Sequence, residues 1–227
     1  MNRYNSFNQI HKGLRAFMYE TALTIQQTDF TDREQAQVVI NLLNETVELF
    51  ESHAHSEDTV VFHAIEEYEP AVVSAFEEEH QKDHALGQRL KDLVFVLTHA
   101  VAPETKIETG RTISIAFVEF MVFNLEHMAK EEAVIAKLLW RYYTDEQLHG
   151  MTQTIVSKIP PERMSKFAAR MMRGLSNNEI AGWLTEVRQN APDFVFNNLV
   201  TIAERELHRH RWIQIREQAG AVPVSAN

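Results

Sequence analysis

The chain has 227 residues, with 32 acidic and 22 basic side chains for a formal net charge of −10, and is 44% hydrophobic and 24% charged. That balance is ordinary for a soluble globular protein, and the acidic excess argues against a nucleic-acid partner, which needs a concentrated basic surface. There is no cysteine, so disulfides, thiolate ligands, iron–sulfur clusters and cysteine nucleophiles are excluded.

The first seventeen residues, MNRYNSFNQIHKGLRAF, lack the apolar core of a signal peptide. The most apolar run, Ile113 to Leu125, is interrupted by Glu119 and is too short to span a bilayer. The expectation is a cytoplasmic protein with no membrane partner. Only seven glycines and six prolines punctuate the chain, which points to long helices.

Helix A is expected from near Asn5 to Gln27, ending at Thr28-Asp29. Thr31 followed by Glu34 reads as a capping box opening helix B. Helix B runs to about Tyr68, with Leu42, Thr46, Leu49, His53, Glu57, Val60 and Ala64 on one stripe. Pro70 suits the first turn of helix C, which reaches about Thr98 along Leu86, Leu90, Leu93 and Leu97. Ala100 to Thr109 reads as a loop. Helix D follows from about Arg111 to Tyr143, with Phe120, Phe123, His127, Glu131, Val134 and Leu138 on one face. The predicted class is all-α: an up-down-up-down four-helix bundle over residues 1–143. A helical extension over 144–227 packs on it or mediates dimerisation.

Within the extension, Thr144 and Gln147 suggest a cap and a helix to about Ile159, broken by Pro160-Pro161. MSKFAARMM reads as a short amphipathic helix whose Met164, Met171 and Met172 are core. Asn177-Asn178 opens a third helix and Pro192 a last one towards Arg216. The basic stretch Arg205 to Arg211 alternates with Glu204 and Glu206 and reads as a solvated face. The tail AGAVPVSAN is expected to fray.

The histidines carry the chemistry. His53 and Glu57, His80 and His84, and His127 and Glu131 are each spaced i, i+4, so each pair shares a helix face. His11 lies on helix A. At about 1.5 Å per residue, the pairs on B and C fall within roughly a turn of the same level. His53 and His127 sit on apolar stripes, where an uncompensated polar group costs about 1–3 kcal/mol. A third pair, His63 and Glu67, lies about 80° off the His53 face and reads as surface. His55 points away from His53, His99 lies in the loop, and His149, His208 and His210 lie in the extension. Inward histidines and carboxylates from successive helices build metal sites in bundle cores; the bland alternative is core histidines paired with the glutamates one turn away.

QIHKGLR, ESHAHSEDTVVFHAIEE, EEEHQKDHALGQRL and LEHMAKEEAVIAKLL together resemble the hemerythrin-like (HHE cation-binding) family, over roughly residues 5 to 142. The resemblance implies a non-haem di-iron centre, oxo- or hydroxo-bridged. One iron would take His80, His84 and His127, the other His11 and His53, with Glu57 and Glu131 bridging. Oxygen-carrying hemerythrins place an aspartate five residues after the last histidine. This chain offers Glu131 at four and Glu132 at five, and Glu131 keeps the histidine face. Some members use a single helix-C histidine, and of the two here His84 is the firmer expectation.

Imidazole with carboxylate suits iron, zinc or manganese, and the resemblance favours two irons. The expected ligand is dioxygen or a related diatomic such as nitric oxide, for sensing, storage or delivery. The alternatives are a redox enzyme removing peroxide or repairing iron centres, and a metal-dependent interaction module. Phe17, Met18, Leu49, Phe120 and Phe123 are expected as pocket walls. Glu119 reads as a proton-delivery group or, more simply, as a solvent-facing flank residue. Gly87 reads as room for a channel or for helix packing.

Overall fold

The computed structural model describes residues 3–220, and among these there are helices and no strands. α1 spans Phe7–Gln27 and α2 Arg33–Ser56. A π-helical turn, Glu57–Phe62, carries α2 into the short α3, His63–Glu66. α4 (Pro70–His99), α5 (Pro103–Ala133) and α6 (Ile135–Tyr142) follow. The remaining helices are α7 (Asp145–Lys158), α8 (Pro161–Gly174), α9 (Asn177–Asn190), α10 (Asp193–Glu206) and α11 (Arg209–Gln218).

Two compact units are present, one of Met1–Asn8 with Phe17–Lys158, the other of Gln9–Ala16 with Ile159–Asn227. The first is an all-α bundle. α4 and α5 run antiparallel, since Glu79, Asp83 and Arg89 meet Lys130, Asn124 and Glu119 in reverse order. α7 belongs to this unit, with Leu148 in one cluster with Phe62, Ile65, Phe76 and Leu139. The second unit has its own core, built from Met171, Met172, Ile180, Leu184, Ala203 and Ile215.

Several boundaries move from their expected places for local reasons. Asp32, not Thr31, caps α2: its Oδ1 accepts from the N–H groups of Glu34 and Gln35 at 2.9 and 3.0 Å. α5 begins at Pro103 rather than Arg111, because proline has no N–H to waste in a first turn and Glu104 favours that end of the helix dipole. His99 therefore closes α4 instead of lying in a loop. The last helix is two, interrupted by extended backbone at Leu207 and His208. Arg211 is not a solvated residue, since its guanidinium donates to the Met172 and Leu175 carbonyls at the end of α8. The expectation for the tail falls mainly on residues 221–227, outside the described residues.

The π-helical turn changes the inward phase of its helix. Its i→i+5 bonding inserts one residue into the repeat. Positions expected inward after Glu57, Val60 and Ala64, are only half-buried, and Val61 and Ile65, one residue later, are buried in their place. Gly87 lies against Val47, whose Cγ1 would be 3.1 Å from a Cβ there, so its small size serves the packing of α4 on α2.

Candidate metal centre

Three helical segments of the bundle deliver histidine and glutamate side chains to one buried point. The end of α2 and its π-helical turn supply His53 and Glu57, α4 supplies His80, and α5 supplies His127 and Glu131. Glu57, His80, His127 and Glu131 are all buried and offer ligand atoms within 4.8 Å of one another. His53, Glu57 and Glu131 also meet that limit among themselves. The two glutamates are thus common to both groups, which is what bridging carboxylates require.

The i, i+4 pairs close as helical geometry demands. His53 Nε2 is 3.2 Å from Glu57 Oε1, and His127 Nε2 is 3.1 Å from Glu131 Oε1. His80 Nε2 faces both glutamates, at 3.6 Å from Glu57 Oε2 and 3.9 Å from Glu131 Oε1. The His80 and His127 rings meet edge-on with centroids 4.8 Å apart.

Each of these two rings is held from behind by a carboxylate. Asp58 Oδ1 is 2.6 Å from His80 Nδ1, and Glu79 Oε2 is 2.8 Å from His127 Nδ1. Lys130 donates to the other Glu79 oxygen at 2.7 Å. A carboxylate on one ring nitrogen fixes the tautomer and turns the other nitrogen towards a metal. Asp58 reaches His80 because the π-helical turn directs two consecutive residues, Glu57 and Asp58, to the same ring. The sequence reading missed Asp58 and Glu79. The acidic run Glu77-Glu78-Glu79 before His80 was the visible sign for one of them; the π-helical turn left none for the other.

Electrostatics follow the geometry. Burial pulls the His80 imidazole down, but the hydrogen bond to Asp58 and the facing carboxylates of Glu131 and Glu57 outweigh it and push the ring up to about 12. Burial likewise opposes charge on His127, and Glu131 and Glu79 more than reverse this, raising it. Burial also pushes Glu79 up, yet Lys130 and His127 hold it below the usual carboxylate range. The two rings therefore face buried carboxylates at a place where a divalent cation would meet the same oxygens.

The residues fit a metal ion by a direct criterion. His80 Nε2 and His127 Nε2 are buried and make no hydrogen bond, although the Nδ1 atom of each is engaged. Buried ring nitrogens normally find a partner, and here they are aimed at a carboxylate pair. Imidazole nitrogen with carboxylate oxygen is the donor set of iron, zinc and manganese.

The structure does not bring His84 to this point. The buried stripe of α4 is Val73, Phe76, His80, Asp83, Gly87, Leu90, Val94 and Leu97, with steps of three and four in strict alternation. After His80 the inward step is three, so Asp83 takes the inside position. His84 lies outside with 69% of its side chain exposed, 3.5 Å from Glu51. Asp83 is buried and accepts from Asn124 Nδ2 at 2.6 Å, and burial pushes its carboxyl up.

The other expectations are placed as follows. His11 is fully buried on α1, within the Gln9–Ala16 segment of the second unit. Phe17, Met18, Leu49 and Phe120 are buried, and Phe123 stacks on His127 at 6.0 Å. Glu119 is exposed and paired with Arg89, so it is a flank residue and not a proton-delivery group. His63 is a surface residue, 80% exposed and beside Glu66 rather than Glu67.

No curated protein and no solved structure matches the chain. The description of the hemerythrin HHE cation-binding domain matches residues 2–139, the span that carries every histidine and glutamate of this cluster. The chain therefore belongs to the hemerythrin HHE cation-binding domain family.

Proposed function

We propose that this protein holds two iron ions at the histidine–glutamate cluster and binds dioxygen, or a related diatomic such as nitric oxide, for sensing, storage or delivery. His80 and His127 would hold one ion and His53 the other, with Glu57 and Glu131 shared. His11, fully buried on α1, stays an expectation of the sequence pattern. His84 is left out. Zinc and manganese satisfy the same donors and are outcomes of the metal analysis.

The observation that carries the reading is the pair of rings whose Nδ1 atoms are fixed by Asp58 and Glu79 while their Nε2 atoms face the shared glutamates. A reduced iron pair would supply two electrons to a small oxidising ligand. The protein's own contribution is to hold the donors, exclude water with Phe17, Met18, Leu49 and Phe120, and carry the negative charge of Glu57 and Glu131 out of solvent. A cytoplasmic setting goes with this proposal.

One observation favours a second reading, redox turnover of peroxide. Asp83 lies one turn from His80 on the same inward stripe, hydrogen-bonded to Asn124 one turn from His127. A buried carboxyl disposed to keep its proton is a proton source, which reversible binding has to avoid.

The test is anaerobic purification, metal analysis, and visible spectra before and after oxygen. About two irons per chain with a band that oxygen creates and its removal abolishes supports binding. Irreversible oxidation with peroxide consumption, slowed in Asp83→Asn, supports turnover. Absence of stoichiometric metal overturns both.

A further inference from the structure

The outer face of α5 is apolar, and the bundle does not use it. Ile115, Val118 and Val122 are 61%, 47% and 48% exposed. They are spaced three and four residues apart, so they form a single stripe turned away from buried Ile113, Phe117, Phe120 and Asn124. Arg111 lies four residues before this stripe and Glu126 four residues after it, both exposed. Arg111 makes only a 3.4 Å contact with Glu108 in which both side chains are 72% exposed, a pairing that binds it weakly. The helical stretch containing the stripe, Pro103–Tyr142, includes an 18-residue window of mean hydropathy 1.2 of which only 39% is buried.

The arrangement is self-complementary. Let a two-fold axis cross α5 between Val118 and Glu119, with a second α5 laid antiparallel. Ile115 then falls opposite the second copy's Val122, and Arg111 opposite the second copy's Glu126. By symmetry each pairing occurs twice. A face whose apolar centre matches itself and whose two charged ends carry opposite signs is what an isologous contact needs. Glu119, beside the axis and opposite the second copy's Val118, is paired with Arg89 of its own chain.

A neighbouring helix carries exposed apolar side chains at similar levels. Ile25 and Gln26 of α1 share a surface hollow with Arg111 and Ser114 of α5, while Tyr4 accepts from Trp140 Nε1 at the other end, so α1 runs antiparallel to α5. Leu23 and Tyr19, each 54% exposed, thus come near the levels of Ile115 and Val118.

We infer that a second copy of this chain docks on the α5 face, giving a two-fold dimer with Ile115, Val118 and Val122 at its centre and reciprocal Arg111–Glu126 pairs at its ends. This dimer is independent of the metal content.

The test is sedimentation velocity of the full-length chain across micromolar concentrations, with helicity and thermal melting checked for each variant. Wild type should sediment as a dimer. Arg111→Glu and Glu126→Arg should each weaken the dimer by about tenfold or more, because each reversal places like charges opposite one another twice. The double reversal Arg111→Glu with Glu126→Arg should restore it, which no general surface effect does. Val118→Glu should give a monomer with an unchanged melt. A wild-type monomer at all concentrations overturns the inference. So does a dimer indifferent to Val118→Glu, and so does a monomer that binds vesicles of phosphatidylcholine and phosphatidylglycerol through this face.

Discussion

Replacing His80 and His84 separately by alanine sets the two i, i+4 neighbours of α4 against each other. His80 is 6% exposed, with Nδ1 at 2.6 Å from Asp58 and Nε2 at 3.6 and 3.9 Å from Glu57 and Glu131. Deleting it removes a cation from between three carboxylates, two of them buried. Breaking a buried charge pair from one side costs about 3–5 kcal/mol. For a protein of this size that lowers the melting temperature of the metal-free form by on the order of 10 °C. His84, 69% exposed and sharing Glu51 with Lys91 at 2.7 Å, should cost under about 0.5 kcal/mol. Metal analysis after reconstitution is the second assay: His84→Ala keeps the wild-type content, whereas His80→Ala loses at least one ion per chain. If His84→Ala loses metal while His80→Ala keeps it, the alternating three–four phase assigned to α4 is wrong, and with it the ligand set.

Three further outcomes follow from the same geometry. Asp58→Asn and Glu79→Gln, which act on the far nitrogens of His80 and His127 (Glu79 also accepting from Lys130), should each weaken metal binding by about 10–100-fold in a chelator competition, with little change in helicity. The pH dependence of the metal-free protein has a fixed sign. His80 is raised to about 12 in the fold, so its contribution to stability is complete below about pH 6.5 and is lost progressively as pH rises towards 12. Metal must displace that proton, so binding tightens with rising pH; affinity that falls between pH 6.5 and 8.5 would contradict the assignment. In the second unit, a Cβ on Gly13 would sit 2.9 Å from the Met171 backbone nitrogen. Gly13→Ala should therefore cost about 1–3 kcal/mol, whereas Gly182→Ala, with nothing within 4 Å, should stabilise α9 by about 0.5–1 kcal/mol in urea melts.

Local chemistry alone made much of this legible. The i, i+4 spacing of His53 with Glu57 and of His127 with Glu131 is a property of any helix, and both pairs close at 3.1–3.2 Å. Proline at the start of α4 and the break at Pro160-Pro161 reflect a missing N–H, readable one residue at a time. The choice between His80 and His84 was also encoded, since Val73, Phe76, Leu90, Val94 and Leu97 fix the phase of α4. Leu86 and Leu93, read as part of the inner line, are only half-buried, and the preference for His84 came from the family resemblance and not from this phase.

Other features belong to tertiary structure, because they depend on which helices face each other. The π-helical turn after Ser56 has no distinctive composition, yet it sets Asp58 behind His80 and shifts the buried positions from Val60 and Ala64 to Val61 and Ile65. Glu79 becomes the partner of His127 only through the antiparallel register of α4 on α5, which also pairs Asp83 with Asn124. The sequence by itself determined the helices, the donor types and their spacing, since backbone periodicity and side-chain chemistry act over one or two turns. Which donors converge, and which carboxylates hold them in place, was decided by the packing of one helix on another.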